Sequence, residues 1–169
     1  MAQVLFINRD DLVRFTATNG NVDTDRFIQY IFIAQEIHIQ NYLGSDLYEA
    51  LENKIQNGSI GNSGDYYDLL KDYVKPCLVH WAMVEALPFL AIRISNNGVY
   101  RPNAENSTTA TKDDIDYLVE KERTTAQNFT NRLIDYLQDN ASSKYPEYYT
   151  NSNGDISPSD KADFGGWQI

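Results

Sequence analysis

Apolar residues along this chain recur mainly at three- and four-residue intervals, which is the spacing of amphipathic helices. Residues 8–16 (NRDDLVRFT) place Leu12, Val13 and Phe15 behind Asn8, Asp10 and Asp11. An amide and two carboxylates there suit the unpaired amides and positive end of a helix N-terminus, so a short first helix is expected. Asn19-Gly20 then supplies a turn. From Asp23 to Leu43, the residues Phe27, Ile28, Ile31, Phe32, Ile37, Ile39, Tyr42 and Leu43 define a long helix stopped by Gly44. Its stretch FIQYIFI also reads as a strand from its β-branched and aromatic content, but the length and the glycine stop favour helix. Ser45 is placed to cap the next helix, where Leu47, Leu51 and Ile55 fall four apart before Asn57-Gly58. The two helices form a hairpin.

A Gly, Ser and Asn loop over 57–65 leads into the strongest apolar pattern, from Tyr66 to Ile94. This is the expected central helix. Pro76 and Pro88 each remove a donor and clash with the preceding turn, predicting a kink or break. Residues 95–108 (SNNGVYRPNAENST) read as a long polar loop, and such loops in compact domains usually contact something. Asn97, Val99, Tyr100 and Arg101 are its candidate docking residues. Thr111 with Asp114 has the spacing of a capping box, and Ile115, Leu118, Val119, Ala126, Phe129, Leu133, Tyr136 and Leu137 define a final amphipathic helix. The stretch from Asn140 onward is rich in Pro, Gly and Ser yet holds five aromatics, more than a linker carries, so it is expected to dock on its own domain or on a neighbouring chain. Its candidate anchors are Tyr145, Tyr148, Tyr149, Phe164, Trp167 and Ile169. The fold class is all-α: a small bundle of about five helices, one kinked at proline, over 1–140, with an extended docking tail over 141–169.

At 169 residues the chain suits one domain. Its formal charge of −10 and lack of a basic run argue against wrapping nucleic acid, though an acidic surface also lets DNA slide past without sticking. Cys77 is the sole cysteine, so no internal disulfide forms, and its apolar neighbours make it a core thiol. The apolar N-terminal patch lacks the basic lead of a signal peptide, and no apolar run approaches the roughly 20 residues of a membrane span. A protein made in the cytosol, away from membranes, is expected.

Catalytic, cofactor and metal motifs are missing. His38 and His80 fall on different helices without ligands at metal-site spacing, and His80 beside Trp81 reads as a hydrogen-bonded core imidazole. Asp113, Asp114 and Asp116 sit in the first turn of a helix, where capping explains them. Glu85 either pairs with Arg93 or Arg123 or faces water, the second being preferred. There is no phosphate-binding glycine loop, nucleophile elbow or dinucleotide fingerprint. No catalytic residue, cofactor or metal is expected.

The segment IAQEIHIQNYLGSDLYEALENKI, residues 33–55, resembles the part of tailed-bacteriophage head-tail connector proteins where one helix ends at Leu-Gly and another begins. DYYDLLKDYVKPCLVHWAMVEALPFLAIRISNNGV, residues 65–99, is similar to versions of that fold in phages of Bacteroidota, including the crAss-like group, as are KYPEYY and GGWQI near the end. The resemblance implies a structural virion protein: a homo-oligomeric ring of about twelve copies between portal and tail or neck proteins. DNA would pass through it without specific binding, and the contacts would be made by loops and terminal extensions. It also implies that removing 145–169 abolishes docking while leaving the bundle folded. A different class, an acidic inhibitor or DNA mimic acting on a basic host protein, is the competing reading.

Overall fold

The structure, a computed structural model, describes residues 4–16, 25–90, 93–95, 98–100 and 110–161. Among these residues the fold is all-α, with five helices and one short hairpin. Helix α1 spans Arg9–Phe15, with Asn8 and Asp11 forming a reciprocal capping box. Helix α2 is α-helical over Asp25–Ala34, widens to a π-turn over Gln35–Ile39, and resumes over Gln40–Leu43. At Gly44 the backbone takes φ +76°, and α3 (Ser45–Gln56) starts at once. The cap is thus Gly44, one position before the expected Ser45, which is the first helical residue.

Helix α4 runs unbroken from Asp65 to Leu90, as α-helix over Asp65–Leu69, π-turn over Leu70–Val74 and α-helix over Lys75–Leu90. Of the expected kink or break at the prolines, a break does not occur, and the helix is instead locally widened before Pro76. Pro76 would clash with the carbonyl four residues back, that of Asp72, and the widened turn lies there, absorbing the defect without ending the helix. Pro88 is exposed in the last turn. This helix buries Cys77, Leu78, Val79, Trp81, Ala82, Met83, Val84 and Ala86 on all sides, which makes it the central element. It packs against α5, α2 and α1.

Beyond α4 the structure departs from the expected loop. Strands β1 (Arg93–Ser95) and β2 (Gly98–Tyr100) pair antiparallel, Ile94 opposite Val99. Ile94 and Val99, both β-branched, are paired across this hairpin, where a helix reaching Ile94, kinked or broken at its prolines, was expected. Helix α5, Lys112–Lys144, is 33 residues long, with the expected Thr111–Asp114 capping box. It buries Ala126, Thr130, Leu133, Ile134, Leu137 and Ala141, all in its C-terminal two thirds.

The N-terminal segment is held by one side chain. Gln35 on the π-turn of α2 is 1% exposed. Its oxygen accepts from the Phe6 amide at 2.9 Å, and its nitrogen donates to the Val4 carbonyl and the Tyr48 hydroxyl at 2.8 Å each. One carboxamide thereby substitutes for a strand partner, and Phe6 and Ile7 are buried.

Candidate functional site

The chemistry-bearing side chains of the interior form a layer between α2, α4 and α5. His38 stacks on Trp81 with ring centroids 3.9 Å apart and faces Glu85 through Nε2 at 3.0 Å. His80 stacks on Phe129 at 5.2 Å and faces Glu122 through Nδ1 at 2.7 Å. A carboxylate accepts, so the nitrogen facing it donates in each case. The preferred solvent-facing reading of Glu85 is thus corrected: its partner is His38, which α2 brings beside α4 from 47 residues away. The reading of His80 as a hydrogen-bonded core imidazole agrees with its position.

Below this pair, Thr130 Oγ1 donates to the Ala126 carbonyl at 2.9 Å. Having used its one proton, it must accept from Trp81 Nε1 at 2.9 Å and from the Cys77 thiol at 3.1 Å. That arrangement requires a protonated thiol. Burial pushes the Cys77 pKa up to about 12, so the sulfur is neutral and no nucleophile. The Thr130 hydroxyl, the Trp81 indole, the Cys77 thiol and one nitrogen of each imidazole are paired within the chain, which is the arrangement of a stable interior. Among the described residues no three His, Cys, Asp or Glu side chains gather as metal ligands. No described helix is long and apolar enough to cross a membrane.

The candidate docking residues separate into three groups. Tyr145 is fully buried, donates to the Asp65 carbonyl at 2.7 Å, lies 3.0 Å from the Tyr136 hydroxyl, and meets the Tyr66 ring edge-on. Burial first, then Tyr136, raises its pKa. Tyr148 is also buried, in the 3₁₀ turn Pro146–Tyr149, and only Tyr149, 62% exposed, is open to a partner. Val99 and Tyr100 lie on β2. Asn97, Arg101, Phe164, Trp167 and Ile169 lie outside the described residues.

The described part of the tail docks on its own domain. Thr150 and Ser152 hydrogen-bond Asp46 at 2.5–3.2 Å. Ser45 donates from its amide to the Ile156 carbonyl and from its hydroxyl to Asp155. Ser159 donates to the Asn41 carbonyl, and Pro158 sits so close to Gly44 that a Cβ there would lie 2.7 Å from its ring. Residues 150–159 therefore strap the α2–α3 elbow, and the expected boundary at 140 falls inside α5. Removing 145–169 would take Tyr145 out of the core, so a fully folded bundle is no longer expected of that truncation.

A feature unforeseen from the sequence is a groove of about 500 Å³ between α1, α4 and α5. Its cations are Arg14, Lys71, Lys75 and Arg132. Lys75 pairs with Asp11 at 2.9 Å. The other three lie over ring faces: Arg14 on Phe15, Lys71 on Tyr67 and Arg132 on Tyr73, at 5.6, 5.7 and 5.0 Å. None of these three has an ion-pair partner among the described residues. An adjoining apolar cleft of about 280 Å³ shares Tyr67, Lys71 and Lys75 with the groove and adds Leu5, Ile7, Ile55 and Ile60. The signal in the sequence was the four-residue spacing of Tyr67, Lys71 and Lys75, one face of a helix. Arg14 and Arg132 join them only through tertiary packing.

These features define a small all-α domain with a satisfied interior, a strapped elbow and an open basic-aromatic groove. Residues 39–158 match a family of unknown function, DUF6712. The match covers well over half of the chain, which belongs to that family. It begins in the π-turn of α2 and ends at Pro158, so it takes in the elbow and its strap but not α1. No curated protein matches the chain. No solved structure matches it either.

Proposed function

We propose that this chain is a structural protein of a phage virion neck, an adaptor that forms a ring beneath the portal and continues the DNA channel towards the tail. The observation that carries the reading is the elbow at Leu43-Gly44-Ser45, within the segment that resembles head-tail connectors. There one helix ends, a glycine with positive φ turns the chain, and the next helix begins at once. The all-helical bundle around it is consistent with that role. So is the formal charge of −10, which disfavours adhesion of DNA to the channel wall. The mechanism is geometric, without a catalytic residue or cofactor: copies fill the gap between portal and tail and help retain packaged DNA. About twelve copies per ring, portal and neck or tail proteins as partners, and a location at the head-tail junction all belong to this proposal.

The test is to tag the chain in its native setting, purify what accompanies it, and locate the tag by electron microscopy. A tag at the head-tail junction, with portal and tail proteins co-purifying, is the expected result. A single basic host protein as sole companion, with no particles, would overturn the reading and favour an inhibitor.

A further inference from the structure

The basic groove has a complement elsewhere on the same chain. Asp113, Asp116, Tyr117 and Glu120 recur at offsets of three, four and seven on α5 and share one face. Tyr117 is 69% exposed and its neighbour Leu118 47%, unusual exposure for large apolar side chains beside a core helix. The acids have only weak surface partners among the described residues, Lys112 at 4.0 Å from Asp116 and Arg123 at 3.2 Å from Glu120. One patch is thus an exposed tyrosine ringed by carboxylates. The other is an open groove of ring faces ringed by three cations without carboxylate partners.

We infer that the groove formed by Arg14, Phe15, Tyr67, Lys71, Tyr73 and Arg132 receives the acidic first turns of α5 from a second copy of this chain, with Tyr117 entering among the rings. The inference rests on the self-assembly within the proposed function and supplies the surfaces for it. Arg132 and Tyr117 are 15 residues apart on one continuous helix, roughly 22 Å at 1.5 Å per residue, so a chain cannot fill its own groove this way. Two different patches meeting between copies make a heterologous contact, which closes into a ring or runs on as a filament. Tyrosine is suited to the role, since it brings large contact area at low entropic cost and stacks beneath cations. A nucleic acid backbone fits less well, because Asp11 and Asp72 offset two of the groove's four cations and leave too small a positive surface for a run of phosphates, whereas a short acidic helix face with a tyrosine to stack matches the rings as well.

Sedimentation velocity of the full chain at low salt, over increasing concentration, reads the contact. Three proteins are compared: the natural chain, Lys71→Glu with Arg132→Glu, and Asp116→Lys with Glu120→Lys. Each double variant alone is expected to associate about a hundredfold more weakly than the natural chain, because like charges then face each other. Their equimolar mixture is expected to regain association, since each then meets a complementary partner. Circular dichroism on each variant separates lost contact from lost fold, and the regained association excludes misfolding independently. A monomeric natural chain, or undiminished association of the groove variant, would overturn the inference. A groove variant still incorporated at the head-tail junction would sink this interface while leaving the neck reading intact.

Discussion

The two sides of α4 are built from similar side chains and end in opposite states. Towards α2 and the middle of α5, imidazoles lie on Trp81 and Phe129, and one nitrogen of each imidazole, the Trp81 indole, the Cys77 thiol and the Thr130 hydroxyl have partners within the chain. Towards α1 and the later turns of α5, cations lie on Phe15, Tyr67 and Tyr73, and three of them have rings beneath but no carboxylate in reach among the described residues. The first arrangement gains nothing from a further partner. The second does, because a cation half-wrapped in aromatic surface gains from an anion that displaces its water. Satisfied polar groups stabilise a fold, while unsatisfied ones at a surface mark where something else can bind.

That contrast breaks if the interior variants are mild or the groove variants are costly. The largest loss is expected for Trp81→Ala, about 3–5 kcal/mol by denaturant unfolding, since a buried ring and its stack on His38 go together. A loss below 1 kcal/mol would show the layer to be loosely packed. Thr130→Val keeps the shape and removes the acceptor shared by Trp81 and Cys77, so a cost of about 1–3 kcal/mol is expected. It should also restore none of the thiol's reactivity in the folded chain, and rapid labelling of Cys77 would contradict its burial. Tyr145→Phe deletes the bond to the Asp65 carbonyl and should cost about 1 kcal/mol, as expected if the tail's first aromatic is part of the core. Lys71→Glu and Arg132→Glu should each change stability by less than about 0.5 kcal/mol, although they disrupt association.

The strap sharpens the contrast through pH. Hydrogen bonds from the Thr150 hydroxyl, then from the Ser152 amide and hydroxyl, hold the Asp46 carboxyl below its ordinary value. A depressed folded pKa means the contribution is fully present above the unfolded value of about 3.9 and is lost as pH falls through the lower folded one. Proteolysis of 150–161 by an acid-active protease should therefore accelerate only below about pH 4, and Asp46→Asn should remove part of that dependence. An equal rate across that range would show that Asp46 does not hold the strap.

The helices were legible because their signals are local. Asn8 with Asp11 and Thr111 with Asp114 cap their own helices, and the apolar periods of α2, α3 and α5 need no distant partner to be read. The hairpin was missed because Ile94 continues the helical period of α4 while Val99 falls in a polar, loop-like stretch, and only pairing across the turn shows both to be strand residues. Glu85 was misread because its partner is 47 residues away, and Tyr145 because a Pro-rich, polar stretch gives no sign that its first aromatic fills a gap beside Tyr66 and Tyr136. The groove was invisible because its charges are scattered over residues 14, 71, 75 and 132.

Local chemistry along the chain thus determined the all-α class, the caps, the elbow at Gly44 and the neutral core cysteine, since backbone preference and burial act over a few residues. Tertiary structure alone decided which histidine meets which carboxylate, that the tail folds back on Asp46, and that three cations meet rings but no carboxylate among the described residues. Those outcomes depend on distances between residues far apart in sequence, which no short-range pattern encodes.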